Sequence, residues 1–209
     1  MKTKNILLIM ALVGATTGTP AADSTAPTPL ITRSADQLIL VIKKPDSSRK
    51  EKADACRELA VVGDGKAVPA LVGLLPYEEF SHMARYALET IPGESVDKAL
   101  RAELTKLHGR PLLGVIGSLG VRKDPNAIEP LSRLLRDSDP QVAQAAARAL
   151  GNIGNATAAR AIEAEFGKTA PTNRLAFGEG LFRCAEALAA NGETGEAIAL
   201  YDRLRRRRR

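Results

Sequence analysis

Aromatic residues make up only 3% of this 209-residue chain, and there is no tryptophan. No run of alternating Val, Ile, Thr and Tyr reads as a strand, so a sheet-based fold is excluded. Alanine and leucine dominate instead, which favours helices. Histidine is represented only by His82 and His108, and neither has a Cys, Asp or His partner at metal-ligand spacing. That leaves no metal site or cofactor to assign. The two cysteines, Cys56 and Cys184, are too few for a disulfide framework. No apolar run is long enough to cross a bilayer as a helix.

The formal charge of +6 is carried by the ends. Residues 1–22 hold Lys2 and Lys4 and no acid, so their removal leaves +4. Without the five terminal arginines, Arg205 to Arg209, the balance is −1. A near-neutral body does not support specific nucleic-acid binding. The start of the chain has the layout of a signal peptide: "MKTKN" is basic, "ILLIMALVGA" apolar, and "TTGTPAAD" rich in small residues. Cleavage near Ala21 or Ala22 fits, and a short uncleaved anchor is the alternative. Residues 1–22 are thus expected to direct export, and residues 23–34 to form a flexible leader rich in Pro, Ser and Thr.

The remainder repeats. Leucines stand at 59, 88, 119, 150 and 188, spaced 29, 31, 31 and 38 residues apart. Twelve residues after each comes Leu71, Leu100, Leu131, Ile162 and Leu200; sixteen after, Leu75, Leu104, Leu135, Phe166 and Leu204. Every one of these positions is large and apolar. Turn-forming stretches such as "VGDGKAVP", "IPGESV", "GVRKDPNAIEP" and "GNIGNATAA" follow the anchors and precede a second helix. In that second helix, apolar residues four apart stack on one face. Asp139 and Pro140 supply an N-cap and a first helical residue. "ADQLILVIKK" matches a lone second helix, with Leu38 and Ile42 in the register of Leu71 and Leu75. Helix pairs this short bury their apolar faces only by stacking. The prediction is an all-α, right-handed α–α superhelical solenoid over residues 35–204, with about five helix pairs plus an N-terminal half-repeat, and a poly-arginine tail over 205–209.

The period, together with "AVPALVGLL", "AIEPLSRLL" and "DPQVAQAAARALGNIG", resembles HEAT repeats of the short bacterial, phycobilin-lyase-like type, with "SHMARYALE" and "GRPLLGVIGSLG" resembling exported members. The last pair, "CAEALAANGETGEAIALYDRL", also resembles a tetratricopeptide unit. The resemblance implies an armadillo-like helical scaffold without catalytic residues. The lyase-like relatives also imply an alternative, an enzyme accessory binding a small ligand. Scarce aromatics and the missing Cys/His clusters weigh against it.

Comparing the repeats column by column isolates a few candidate positions. Three residues before the anchor stand Cys56, Arg85, Ile116, Ala147 and Ala185; one after stand Ala60, Glu89, Gly120, Gly151 and Ala189. Only the second repeat is charged at both. Arg85 and Glu89 therefore form either an ion pair between repeats or a partner-anchoring spot, with His82 and Tyr86 beside them. The cysteines fall in the first and fifth pairs, about 40 Å apart at roughly 10 Å per stacked pair, too far for a disulfide; they read as small core residues. Gly114, Gly117 and Gly120 lie within a helix, where neither a phosphate loop nor a nucleophile elbow at Ser118 can form. Their cost predicts close approach of a neighbouring helix, so that Gly117→Ala should destabilise.

The chain therefore reads as a non-enzymatic protein–protein interaction scaffold, secreted to a bacterial periplasm or beyond, whose partner is another protein. Arg101, Arg133 and Arg136 are candidate exposed contacts on the second helices. Arg205, Arg206, Arg207, Arg208 and Arg209 offer a second reading, an electrostatic tether to an anionic envelope surface.

Overall fold

Capping residues set the helix boundaries. Ser34 accepts the amide of Gln37 while the Gln37 side chain accepts that of Ser34, and Ser48 and Glu51 repeat this reciprocal capping box. Five residues after the first four anchors stand Asp64, Gly93, Asp124 and Asn155, and each is the N-cap of the next turn or helix. The two aspartates each open a short 3₁₀ turn by accepting the amide two residues on, at 2.9 and 3.0 Å. Asp139 caps the helix that Pro140 begins. Gly154 ends that helix at φ +71°, a left-handed conformation that suits glycine.

The computed structural model describes residues 33–206, and among them there are helices and turns but no strand. A leading helix, α1 (Ala35–Lys43), is followed by five pairs. They are α2 (Arg49–Val62) with α3 (Val68–Val72), α4 (Glu78–Thr90) with α5 (Glu94–Glu103), α6 (Gly109–Val121) with α7 (Ile128–Leu134), α8 (Pro140–Ile153) with α9 (Ala156–Phe166), and α10 (Arg174–Ala190) with α11 (Thr194–Arg206). The first helices α2, α4, α6, α8 and α10 stack in sequence, and the second helices pack beside them. This is the expected solenoid of five pairs and a half. The expected signal peptide, most of the leader, and Arg207 to Arg209 lie outside the described residues. Arg33 and Ser34, assigned to the leader, take part in the fold: Arg33 pairs with Glu58 on α2, and Ser34 caps α1.

Burial follows the repeat register. The five anchor leucines and the apolar residues twelve and sixteen positions on are all buried except Phe166, which is half-buried. Leu38 and Ile42 of α1 are buried as Leu71 and Leu75 are. One local expectation fails. Gly73 ends α3 early, so Leu75 lies in the turn beyond it, and Leu104 and Leu135 likewise follow the last residues of α5 and α7. Pro76 prevents α3 from continuing. These leucines reach the core from turns and do not stack on a helix face.

Cys56 and Cys184 are free thiols buried in α2 and α10. Burial pushes each pKa up to about 12. Neither thiol is expected to react with a water-soluble disulfide reagent at neutral pH while the chain is folded, whereas both should titrate in denaturant. Rapid labelling of either in the native protein would contradict this placement.

Candidate interaction surface

Arg85 and Glu89 lie one turn apart on α4 and face α6. Arg85 Nη1 is 3.9 Å from Glu89 Oε1 and donates to the carbonyl of Gly114 at 3.3 Å. The Ser118 hydroxyl donates to Glu89 at 2.5 Å. A Cβ at Gly114 would collide with the Arg85 guanidinium, so the glycine makes room for the arginine. Desolvation lowers the Arg85 pKa and Glu89 opposes the shift. Its Nε and the Ser81 hydroxyl oxygen are the two described side-chain atoms that are buried without a hydrogen-bond partner. The charged pair and Gly114, separate oddities in the sequence, are two sides of one seam between the second and third pairs. His82 and Tyr86 lie outside it, on the exposed face of α4.

Gly120 packs against α8, where its Cβ would lie 2.8 Å from Ala149 Cα. Gly117 is different: a Cβ there meets nothing within 4 Å. The expected close approach holds for Gly114 and Gly120 and fails for Gly117, which points away from both neighbours. Gly117→Ala should therefore stabilise the fold by about 1 kcal/mol, the helix-propensity difference. A lowered denaturation midpoint would show a contact that the geometry lacks.

Arg101 is a further correction. It is not an exposed contact residue, because it turns inward to pair with Asp124, which is only 4% exposed and also caps its 3₁₀ turn. A carboxylate so buried needs a cation, and Arg101 supplies it. Arg133 and Arg136 are exposed, but each is paired: Arg133 with Glu129 at 2.6 Å, and Arg136 with Glu165 at 3.6 Å. The Arg133–Glu129 pair is exposed on both sides and contributes little, whereas Arg136 serves the buried carboxylate of Glu165.

Arg122 has no counterpart among the sequence candidates. It closes α6 and sends its guanidinium back to the preceding pair, donating from Nη1 to the carbonyls of Leu88 (2.9 Å) and Ile91 (2.8 Å) and from Nη2 to that of Gly93 (3.2 Å). Its Nε pairs with Asp97 in the first turn of α5. A cation at the open carbonyls of α4 also suits the helix dipole. Three residues after the anchors stand Val62, Ile91, Arg122, Ile153 and Asn191, so the column that singles it out was present in the sequence.

The last pairs hold a cleft of about 340 Å³ between the end of α9, the first half of α10 and the end of α11. Phe166, Leu175, Gly178, Phe182 and Leu204 line it, with Arg174 and Glu179 at its edge. Leu175 is 72% exposed and Phe182 42%. The Phe182 ring meets Tyr201 edge-on at 5.6 Å between centroids. At the end of α11, Arg205 pairs with Asp202 and Arg206 is exposed. Among the described residues no group of His, Cys, Asp and Glu could hold a metal ion, and no helix is long and apolar enough to cross a membrane.

The family model for HEAT repeats matches residues 98–181, from within α5 to within α10. The same stacking continues on both sides of that span, in α2–α4 and in α10–α11. No curated protein matches the sequence. Among solved structures, the crystal structure of an engineered protein aligns at a TM-score of 0.44 and 21% identity, covering 80% of this chain and 88% of that one.

Proposed function

We propose that this HEAT-repeat protein is an exported, non-enzymatic scaffold that binds another protein. Stacked pairs present a long continuous surface on a rigid frame, which suits extended protein contacts. The observation that carries the reading is the apolar cleft at α10, whose exposed leucine and phenylalanine need a cover that the described residues do not supply. Export to the periplasm or beyond is supported by the basic, apolar and small-residue succession over residues 1–22.

Two measurements test it. N-terminal sequencing of the protein recovered from cell fractions should find a chain beginning near residue 23 in the exported fraction; an intact start in the cytoplasm would refute export. Affinity capture from an envelope extract, with cross-links mapped by mass spectrometry, should recover a protein joined to residues 33–206. A parallel copy lacking residues 205–209 separates the second reading. If the arginine run is a tether, its removal or raised salt abolishes retention on anionic vesicles.

A further inference from the structure

We infer that the cleft on α10 is the seat of an acidic amphipathic helix of a partner protein, an inference that rests on the scaffold reading and specifies where and what the scaffold binds. Leu175, Gly178 and Phe182 are three and four residues apart and so share one stripe of α10. Leu175 is largely exposed, and a Cβ at Gly178 would meet nothing within 4 Å. Two other glycines show what such an opening admits. Gly151 of α8 and Gly180 of α10 lie backbone to backbone, with a Cβ at Gly151 falling 2.6 Å from Gly180 Cα. At that contact paired helical glycines let two helices come close, and the open place at Gly178 leaves room for the same approach. Phe166 and Leu204 wall the stripe into a concave cleft, which fits a convex helix better than a flat bilayer. Phe182 is already held against Tyr201, so less ordering is needed on binding.

Charge selects the kind of helix. Glu179 is engaged by Arg148 at 3.0 Å, and Asp202 by Arg205 at 3.2 Å. Among the described residues Arg174, at the edge of the cleft, forms no ion pair. Arg174 is thus the one uncommitted charge among the described residues that line the cleft, with Glu179 already engaged. An occupant with apolar residues at i, i+3, i+4 and i+7 and carboxylates on its flanks meets both requirements.

The test uses the full chain and two synthetic helical peptides of about five turns, identical in their leucines but carrying glutamate or lysine on the flanks. Fluorescence anisotropy should show the glutamate peptide binding at least about tenfold more tightly. Gly178→Leu fills the seat without removing any lining and should weaken binding by about tenfold or more, with the fold intact by circular dichroism. Arg174→Glu should narrow or reverse the preference between peptides. Equal binding of the two peptides, or wild-type affinity in Gly178→Leu, overturns the inference. So does uptake of only a small apolar dye, or binding only to phosphatidylglycerol vesicles. A captured partner that cross-links away from α10, with no peptide binding, removes this seat and leaves the scaffold reading intact. Peptide binding with no protein captured counts against the wider reading alone.

Discussion

Replacing Arg122 with alanine is expected to destabilise the fold by about 3–5 kcal/mol, the cost of breaking a buried ion pair from one side. The Arg122 side chain is 9% exposed. Its removal leaves Asp97 without its cation, and the carbonyls of Leu88, Ile91 and Gly93 lose the same donor. Water can reach part of Asp97, which is 20% exposed, and that favours the lower half of the range. Arg122→Lys keeps the charge but loses the planar fork that reaches several acceptors at once, so it should recover only part of the loss. Because a stacked array need not unfold in one step, the effect is best followed by hydrogen exchange as well as by urea denaturation. Protection should fall first in the last turn of α4 and the first turn of α5. A change under about 1 kcal/mol would mean that solvent already satisfies these carbonyls.

Gly151→Ala is the second large effect, and it should run opposite to Gly117→Ala. A methyl at position 151 would press on Gly180 at Cα, at the carbonyl oxygen (2.8 Å) and at the carbonyl carbon (3.1 Å), all backbone atoms that no side-chain rotation can move. Helix propensity alone would add about 1 kcal/mol of stability. Overpacking of this kind costs about 1–3 kcal/mol, and a clash with backbone belongs at the upper end, so the net expectation is a loss of about 1–2 kcal/mol. The same substitution thus changes sign between two glycines in successive first helices. Paired denaturation curves for the two variants check this with the residue type held constant. If both stabilise, α8 and α10 are not in backbone contact at Gly151.

Much of the fold could be read from the sequence because it rests on local repeats. Anchor leucines and their companions twelve and sixteen residues on recur in each pair, and the cap five residues on in the first four, and a short period is enough to reveal them. What could not be read was which way a helical side chain turns. Gly114, Gly117 and Gly120 look alike in sequence, yet three residues along a helix is about 60° short of a full turn. That rotation carries successive glycines from facing Arg85, through open space, to facing Ala149. The direction of Arg101 is hidden for the same reason, since its register allows either an outward or an inward side chain and only Asp124 decides between them. Arg122 does not stand out in the sequence because it sits in a stretch rich in turn residues, where a charge is ordinary. The cleft on α10 depends on residues of three helices and has no signature in any single repeat.

A stacked array is often regarded as beads that duplication can add or deletion remove without harm to the rest. Arg122 limits that freedom. It belongs to the third pair, but its partners lie in the last turn of α4, in the link to α5 and in the first turn of α5. A chain cut before α6 would leave carbonyls open on one fragment and a cation without its partners on the other. Copying the third pair elsewhere would place the arginine beside a neighbour lacking Asp97. The second and third pairs are therefore coupled into one structural unit about twice the length of the repeat, and chimeras that respect the sequence period but divide this unit should fold poorly.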